Sequence, residues 1–435
     1  MDDPIIIVGG GLAGLTCAGA LAKAGRSVRL LDAGAALGGR AATDEHEQYL
    51  LNHGAHALYA SSEQLLLAAG VKVTGGHPRP DAGMVLRGAE LLRPPFGLLG
   101  LLGSGPLTPA ERGSFVRTMA SAGARRPERL EGADAASWIA ERASTPAVAD
   151  LLSGLLRLSS YCGALSALPA EIGVGMLREA LRQPVRYIDG GWRQIVASLA
   201  DTAREAGAEV HSRTRVDELL VDERVTGVRL TDGSERRASA VVLAGLSPAR
   251  AGHLLSNAGG ALPAAVAAPR PVRAACLDVA LSGLPRPECP FVLGLDEPLY
   301  MSAHSRWSRL APAGGAVVQL LRYDDGSEIS DDAVLKRLES LLDQAQAGWR
   351  ERIVHRQFAP RMTVVHHLPS PGAGLRARPQ VDDTGLPGVF LAGDWVGPQG
   401  WLTGASLHSG RVAAQAALQA VRSDRHPAPI KASPA

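Results

Sequence analysis

Several things are scarce in this sequence. It has 4 cysteines, Cys17, Cys162, Cys276 and Cys289, and no two of them form a CxxC pair. Neither a disulfide framework nor a structural zinc site is therefore expected. The charges nearly cancel, at a formal +2 over 435 residues. That excludes the strong basic field of a general nucleic-acid binder. No run of about 18 apolar residues occurs, so no transmembrane helix is expected. No basic stretch precedes the first apolar run; a secretory leader is not expected, and the expected location is the cytoplasm. Lysine is confined to Lys23, Lys72, Lys336 and Lys431, the rest of the 45 basic residues being arginines. Chemistry that needs a lysine thus has few candidates. No Ser-His-Asp arrangement or metal-ligand spacing stands out.

What is abundant points to a folded enzyme. The apolar fraction is 46% and the charged fraction 20%, enough to bury a large core. The length allows two or three domains, or one interleaved fold. Residues 4–10 read as a buried strand, 12–24 as a small-residue helix and 27–32 as a second strand. Residues 61–180 read as mostly helical, punctuated by Pro94, Pro95, Pro106, Pro109, Pro127 and Pro146. Helices are also expected over 192–206, 330–345 and 401–422, and strands over 272–283, 315–323 and 388–392. The Asp232-Gly233 step marks a hairpin. The proline-bearing tail 423–435 is expected to be disordered.

The first strand–helix junction, Gly9-Gly10-Gly11-Leu12-Ala13-Gly14, matches GxGxxG. Gly9 permits the tight turn, Gly11 lets backbone approach a pyrophosphate, and Gly14 allows close helix–strand packing. The helix start, with Leu12 and Ala13, presents N–H groups to an anion. Asp32 ends the next strand, where a carboxylate accepts from a ribose 2′-OH. An acid there argues against a 2′-phosphate but does not separate NAD from FAD. Gly38-Gly39-Arg40 follows, with exposed amides and a guanidinium suited to phosphate.

IIIVGGGLAGLTCAGALAKAGRSVRLLDAGAALGGRAAT resembles the N-terminal fingerprint of the flavin-containing amine oxidase, phytoene desaturase and protoporphyrinogen oxidase superfamily. VFLAGDWVGPQGWLTGASLHSGRVAAQAAL resembles its second flavin motif, and YIDGGWRQIVASLADTAREAGAEVHSRTRVDELLVD its returning FAD-domain segment. The overall cast resembles bacterial phytoene-dehydrogenase-like oxidoreductases. The resemblance implies an α/β fold: a Rossmann-type FAD-binding domain from residues 1–60, 185–260 and 375–435, interleaved with an α+β substrate domain of mixed sheet and helices from 61–184 and 261–374. It implies FAD, taken as non-covalent because Cys289 lies in no motif that suggests attachment. Gly9, Gly11, Gly14 and Asp32 would hold the ADP half, and Gly38, Gly39 and Arg40 the pyrophosphate and ribityl path. Gly54 and Ala55 would pack beside the isoalloxazine. Val216 would give backbone contacts to adenine, Gly393-Asp394 a carboxylate near the ribityl or pyrophosphate, and Leu402 an N–H to the flavin pyrimidine.

Two residues are candidates for the chemistry. Trp401 falls where amine oxidases place a cage aromatic; the alternative is a Trp packed under the last helix. His56 would sit near the flavin as an acid or base, or else serve as a hydrogen-bonded structural histidine. Trp395, His53 and His366-His367 are weaker candidates, and no metal set accompanies them. Many amine oxidases of this superfamily keep a lysine near flavin N5. The matching stretch here, 273–281, has none. The expected function is FAD-dependent hydride removal from an apolar, polyene-like substrate. Amine oxidation, isomerisation without net redox change, and a carrier protein of the same fold are the alternatives. Residues 91–107 are strongly apolar and could form a substrate entrance, a shallow membrane-docking patch, or a buried loop. The sequence does not specify an oligomeric state.

Overall fold

The computed structural model describes residues 3–79, 82–96, 105–124 and 130–425. Five parallel strands form one sheet in the order Val389–Ala392, Ala240–Ala244, Ile5–Val8, Val28–Leu31, Glu209–His211. Ile5–Val8 lies at its centre and is buried throughout. Burial on both faces is why this strand reads as an unbroken aliphatic run rather than an alternation. Helix Leu12–Lys23 packs against helices Leu402–Arg425 and Arg193–Glu205. A glycine of the last helix sets the approach: a Cβ at Gly410 would lie 2.4 Å from the Ala13 carbonyl oxygen. The antiparallel strands Val216–Val221, Val225–Leu230 and Glu235–Arg237 form a separate small sheet. Gly233 makes the expected hairpin turn with φ +81°, and Asp232 Oδ1 accepts from the Ser234 N–H at 2.9 Å.

A second, mixed sheet of seven strands runs Ile353–Val365, Val272–Leu281, Ala316–Tyr323, Leu299–Ser302, Phe291–Gly294, Met84–Arg87, Glu90–Leu92. Helix Asp331–Ala345 packs against its strands Ala316–Tyr323 and Val272–Leu281. Helices Pro109–Gly123, Ala135–Arg142, Pro146–Ser160 and Ala170–Arg182 gather around a core with Trp138, Leu152 and Leu156. Thr108 and Thr145 cap two of them, and Pro109 and Pro146 open their first turns. Proline fits there because that turn's N–H groups have no helical partner. The mostly helical reading of 61–180 needs correction. Met84–Arg87 and Glu90–Leu92 form a hairpin, and Met84–Arg87 pairs in parallel with Phe291–Gly294. Such short strands carry almost no periodicity, and a distant partner decides their state. Among the described residues, no helix is long and apolar enough to cross a membrane. Residues 97–104 and 426–435, parts of the apolar stretch and of the tail, lie outside the described residues.

Candidate active site

A cleft opens at the C-terminal ends of strands Ile5–Val8, Val28–Leu31 and Ala240–Ala244, the usual place for a ligand in an open parallel sheet. It encloses about 1150 Å³, counting the part open to solvent. Gly9, Gly11, Leu12, Ala13 and Asp32 line it, as do Gly38, Gly39, Arg40, Ala55 and His56, together with Asp394 and Leu402.

The glycines divide by what a side chain would meet. A Cβ at Gly9 would lie 2.0 Å from the Ala244 carbonyl oxygen, and one at Gly14 would lie 1.9 Å from the Gly9 carbonyl oxygen. These two are needed for protein packing. Gly11 is different: the nearest atom to its Cβ position is 3.8 Å away, and around Gly39 and Gly245 nothing lies within 4 Å. These three line a cradle that a Cβ would intrude on and that protein atoms do not fill. Bare backbone beside a helix N-terminus suits a pyrophosphate, so the donor set fits a dinucleotide. Asp32 stands at the cradle's edge, its carboxylate accepting from the Gly10 N–H at 2.5 Å and the Gly34 N–H at 2.6 Å.

Arg40 and Asp394 meet inside the cleft. Arg40 Nη1 donates to Asp394 Oδ2 at 2.8 Å and to the Val364 carbonyl at 2.7 Å. The same carboxylate accepts from the His366 backbone N–H at 2.9 Å, and His366 Nδ1 lies 2.8 Å from its Oδ1. Arg40 Nη2 lies 3.1 Å from the same Nδ1. Burial pulls the Asp394 carboxyl upward, but the Arg40 charge and the His366 hydrogen bond hold it well below the usual carboxylate range. Gly393 is gripped by the last helix, its N–H donating to Ser409 Oγ at 2.9 Å.

Gly54 lies just behind the cleft surface with φ +86°, where a Cβ would strike Met362 and Cys276. Its carbonyl accepts from Gln319 Nε2 at 2.8 Å and faces His56 Nδ1 at 2.8 Å. Gln319 also reaches the buried Asp278, at 3.2 Å. The stretch 273–281 thus puts Cys276 and Asp278 behind the cleft, and no lysine is among the described residues lining it.

Four expectations need revision. The Trp401 side chain is 4% exposed, lines no part of the cleft, donates from Nε1 to the Ser160 carbonyl at 2.9 Å and has the Arg378 guanidinium 5.1 Å over its ring. It is a core residue of the helical layer. Trp395 is also fully packed and donates to the Leu246 carbonyl at 2.8 Å. His56 is on the cleft with its ring 4.7 Å from Trp192. Burial pushes its pKa down to about 4 against the Gly54 hydrogen bond, so it is neutral rather than titrating near pH 7. Val216 is off the cleft, its carbonyl taken by Arg250 Nη2 at 2.8 Å. His53 pairs with Asp44 at 3.0 Å, and no group of metal ligands occurs among the described residues.

A larger cavity, about 1930 Å³ counting its open part, lies between the helices and the second sheet. Its walls include Tyr59, Phe96, Phe115, Met119, Leu158 and Phe291. Ala57 and Tyr161 line both cavities. None of the described lining residues of the larger one is acidic, and Arg79 is among them. Sequence reasoning missed Tyr161, Gln319 and Asp278, and had His366 only as a weaker candidate. No local motif marks them; only the packing of distant strands brings them together.

The solved structures that resemble the chain include an oxidoreductase from Methanosarcina mazei at 18% identity, with a TM-score of 0.72, covering 95% of this chain and 100% of that one. Cyclohexylamine oxidase from Brevibacterium oxydans IH-35A follows at 19%, TM-score 0.70, covering 97% and 100%. Wild-type putrescine oxidase bound to putrescine is similar at 16%, TM-score 0.67, covering 96% and 99%. At these identities the likeness shows the fold. No curated protein matches the chain. Residues 12–418 match the family model of the flavin-containing amine oxidoreductases; the chain belongs to that family and is an FAD-dependent oxidoreductase.

Proposed function

We propose that the protein oxidises a neutral, lipophilic substrate of alkene or polyene type, as a desaturase or dehydrogenase does. The observation that carries this reading is the large apolar cavity that meets the cleft at Ala57 and Tyr161. A charged ammonium entering it would lose its hydration without gaining a carboxylate from the described lining residues. A neutral hydrocarbon chain gains about 25 cal/mol for each Å² it buries there.

In this reading Gly11, Gly39 and Gly245 cradle the FAD diphosphate, Asp32 stands at its ribose, and the Arg40–Asp394–His366 cluster braces the cleft floor. The flavin supplies a two-electron acceptor for hydride from a substrate C–H. Apolar walls exclude water from that exchange. The neutral His56 holds its Nδ1 proton against the Gly54 carbonyl and so keeps the loop beside the cleft in place. In this reading FAD is held non-covalently.

Amine oxidation is the second reading, and two structural neighbours with amine-oxidase names favour it. Leu158→Arg separates the two. It puts a cation in the wall of the large cavity and should abolish flavin reduction by an apolar polyene while flavin content is kept. Undiminished reduction by the polyene would remove the cavity from the account.

A further inference from the structure

Tyr161 closes helix Pro146–Ser160 in a left-handed conformation, φ +61° and ψ +13°. Glycine or asparagine is the usual residue there, because a side chain with a Cβ costs about 1–2 kcal/mol in that region. A tyrosine held at such a position points to a use for its ring or its hydroxyl.

The surroundings fix where the ring goes. Trp401 Nε1 donates to the carbonyl of Ser160, one residue earlier, at 2.9 Å. The Tyr161 ring meets Tyr323 edge-on, centroids 6.2 Å apart. It packs in one cluster with Ala55, Met362 and Leu402, at the wall between the two cavities.

The hydroxyls lining the apolar cavity are mostly committed. Tyr59 donates to the Ser159 carbonyl at 2.7 Å. Tyr187 and Tyr300 share a hydrogen bond of 3.1 Å, and Tyr300 lies 2.9 Å from His304 Nε2. Ser159 Oγ donates to the Leu156 carbonyl at 3.3 Å. Tyr161 is the tyrosine lining this cavity whose hydroxyl has no hydrogen bond among the described residues. Burial holds its phenol well above the usual pKa, so the group stays a neutral donor.

We propose that Tyr161 is a specificity-determining residue. Its hydroxyl hydrogen-bonds one neutral oxygen, a hydroxyl, carbonyl or ether, on an otherwise apolar substrate at the point where that substrate reaches the cofactor cleft. The favoured substrate class is then an elongated apolar molecule with a single uncharged oxygen. This rests on reading the apolar cavity as the substrate site.

The test uses the FAD-loaded protein and two matched probes, farnesol and farnesene, which share an isoprenoid chain and differ in one hydroxyl. Binding is read from the perturbation of the flavin absorption spectrum. The unsubstituted protein should bind farnesol about tenfold more tightly than farnesene. Tyr161→Phe should remove that preference by weakening farnesol alone, with farnesene affinity, flavin content and Tm unchanged. Tyr161→Leu should lose the same preference without an aromatic ring. A preference that survives in Tyr161→Phe, or none in the unsubstituted protein while both probes bind, overturns the role of Tyr161 and leaves the cavity reading standing. Failure of both probes to perturb the flavin of the loaded, unsubstituted protein overturns the cavity reading, and the inference with it.

Discussion

Arg40 Nη1 lies 2.8 Å from Asp394 Oδ2, across 354 residues of chain. One partner follows the second strand of the parallel sheet and the other follows its last strand, so the pair ties two distant parts of that sheet's layer together. His366, from the end of the second sheet's edge strand, completes the cluster at 2.8 Å.

Asp394→Asn should therefore lower the flavin-to-protein ratio after purification, and leave Arg40 with a weaker partner. The pH dependence has a defined sign. A carboxyl whose folded pKa is depressed contributes stability above its unfolded value, near 4, and loses it as pH falls toward the folded one. The unsubstituted protein should lose Tm in acid below about pH 4 more steeply than Asp394→Asn does.

Asp32→Ala should release flavin too, by a different route. It removes the acceptor of the Gly10 and Gly34 N–H groups as well as the proposed ribose contact. Flavin content unchanged from the parent would refute the ribose assignment.

The glycines of the first helix give a paired test. Gly14→Ala should prevent flavin binding and lower Tm sharply, because its Cβ would lie 1.9 Å from the Gly9 carbonyl oxygen. Gly19→Ala, in the same helix with nothing closer than 4.0 Å, should be neutral or stabilise by up to about 1 kcal/mol. Thermal melts of the two variants check both signs.

Trp401→Ala should cost on the order of 3–5 kcal/mol of stability, as for a large core residue, without first loosening the flavin. Trp401→Phe fills most of the space but leaves the Ser160 carbonyl without its donor, at about 1–3 kcal/mol. Tm and flavin content, measured together, distinguish this core role from a place against the flavin.

Much of the parallel sheet is legible in the chain. Ile5–Val8 and Val389–Ala392 are buried apolar runs stopped by glycine, so local pattern and tertiary role agree. The active site is less legible. Trp401 precedes Leu402, which lines the cleft, and the resemblance to amine oxidases put it at a cage position against the flavin. Leu402 has φ +51°, and that left-handed step turns the chain so that the two side chains diverge. Tyr161 and His366 belong to no motif. The end of one helix brings Tyr161 to the cleft and the end of one long strand brings His366 to Asp394, and both depend on pairings between distant segments.

Asp278 gives the second pH prediction. It is 2% exposed, and burial pushes its carboxyl up to about 7 against hydrogen bonds from Gln357 and Gln319. The folded chain keeps a proton that the unfolded chain releases near pH 4, so stability falls as pH rises from there through 7. The full loss is on the order of 4 kcal/mol. Asp278→Asn cannot ionise. Its Tm should exceed the parent's at about pH 8 and converge with it toward pH 5.

The most direct measurement mixes the FAD-loaded protein, under anaerobic conditions, with an apolar polyene and with an amine built on the same carbon chain. The flavin absorption band is followed in each. Bleaching by the polyene and not by the amine is the predicted result. Bleaching by the amine alone would contradict the account and make this chain an amine oxidase.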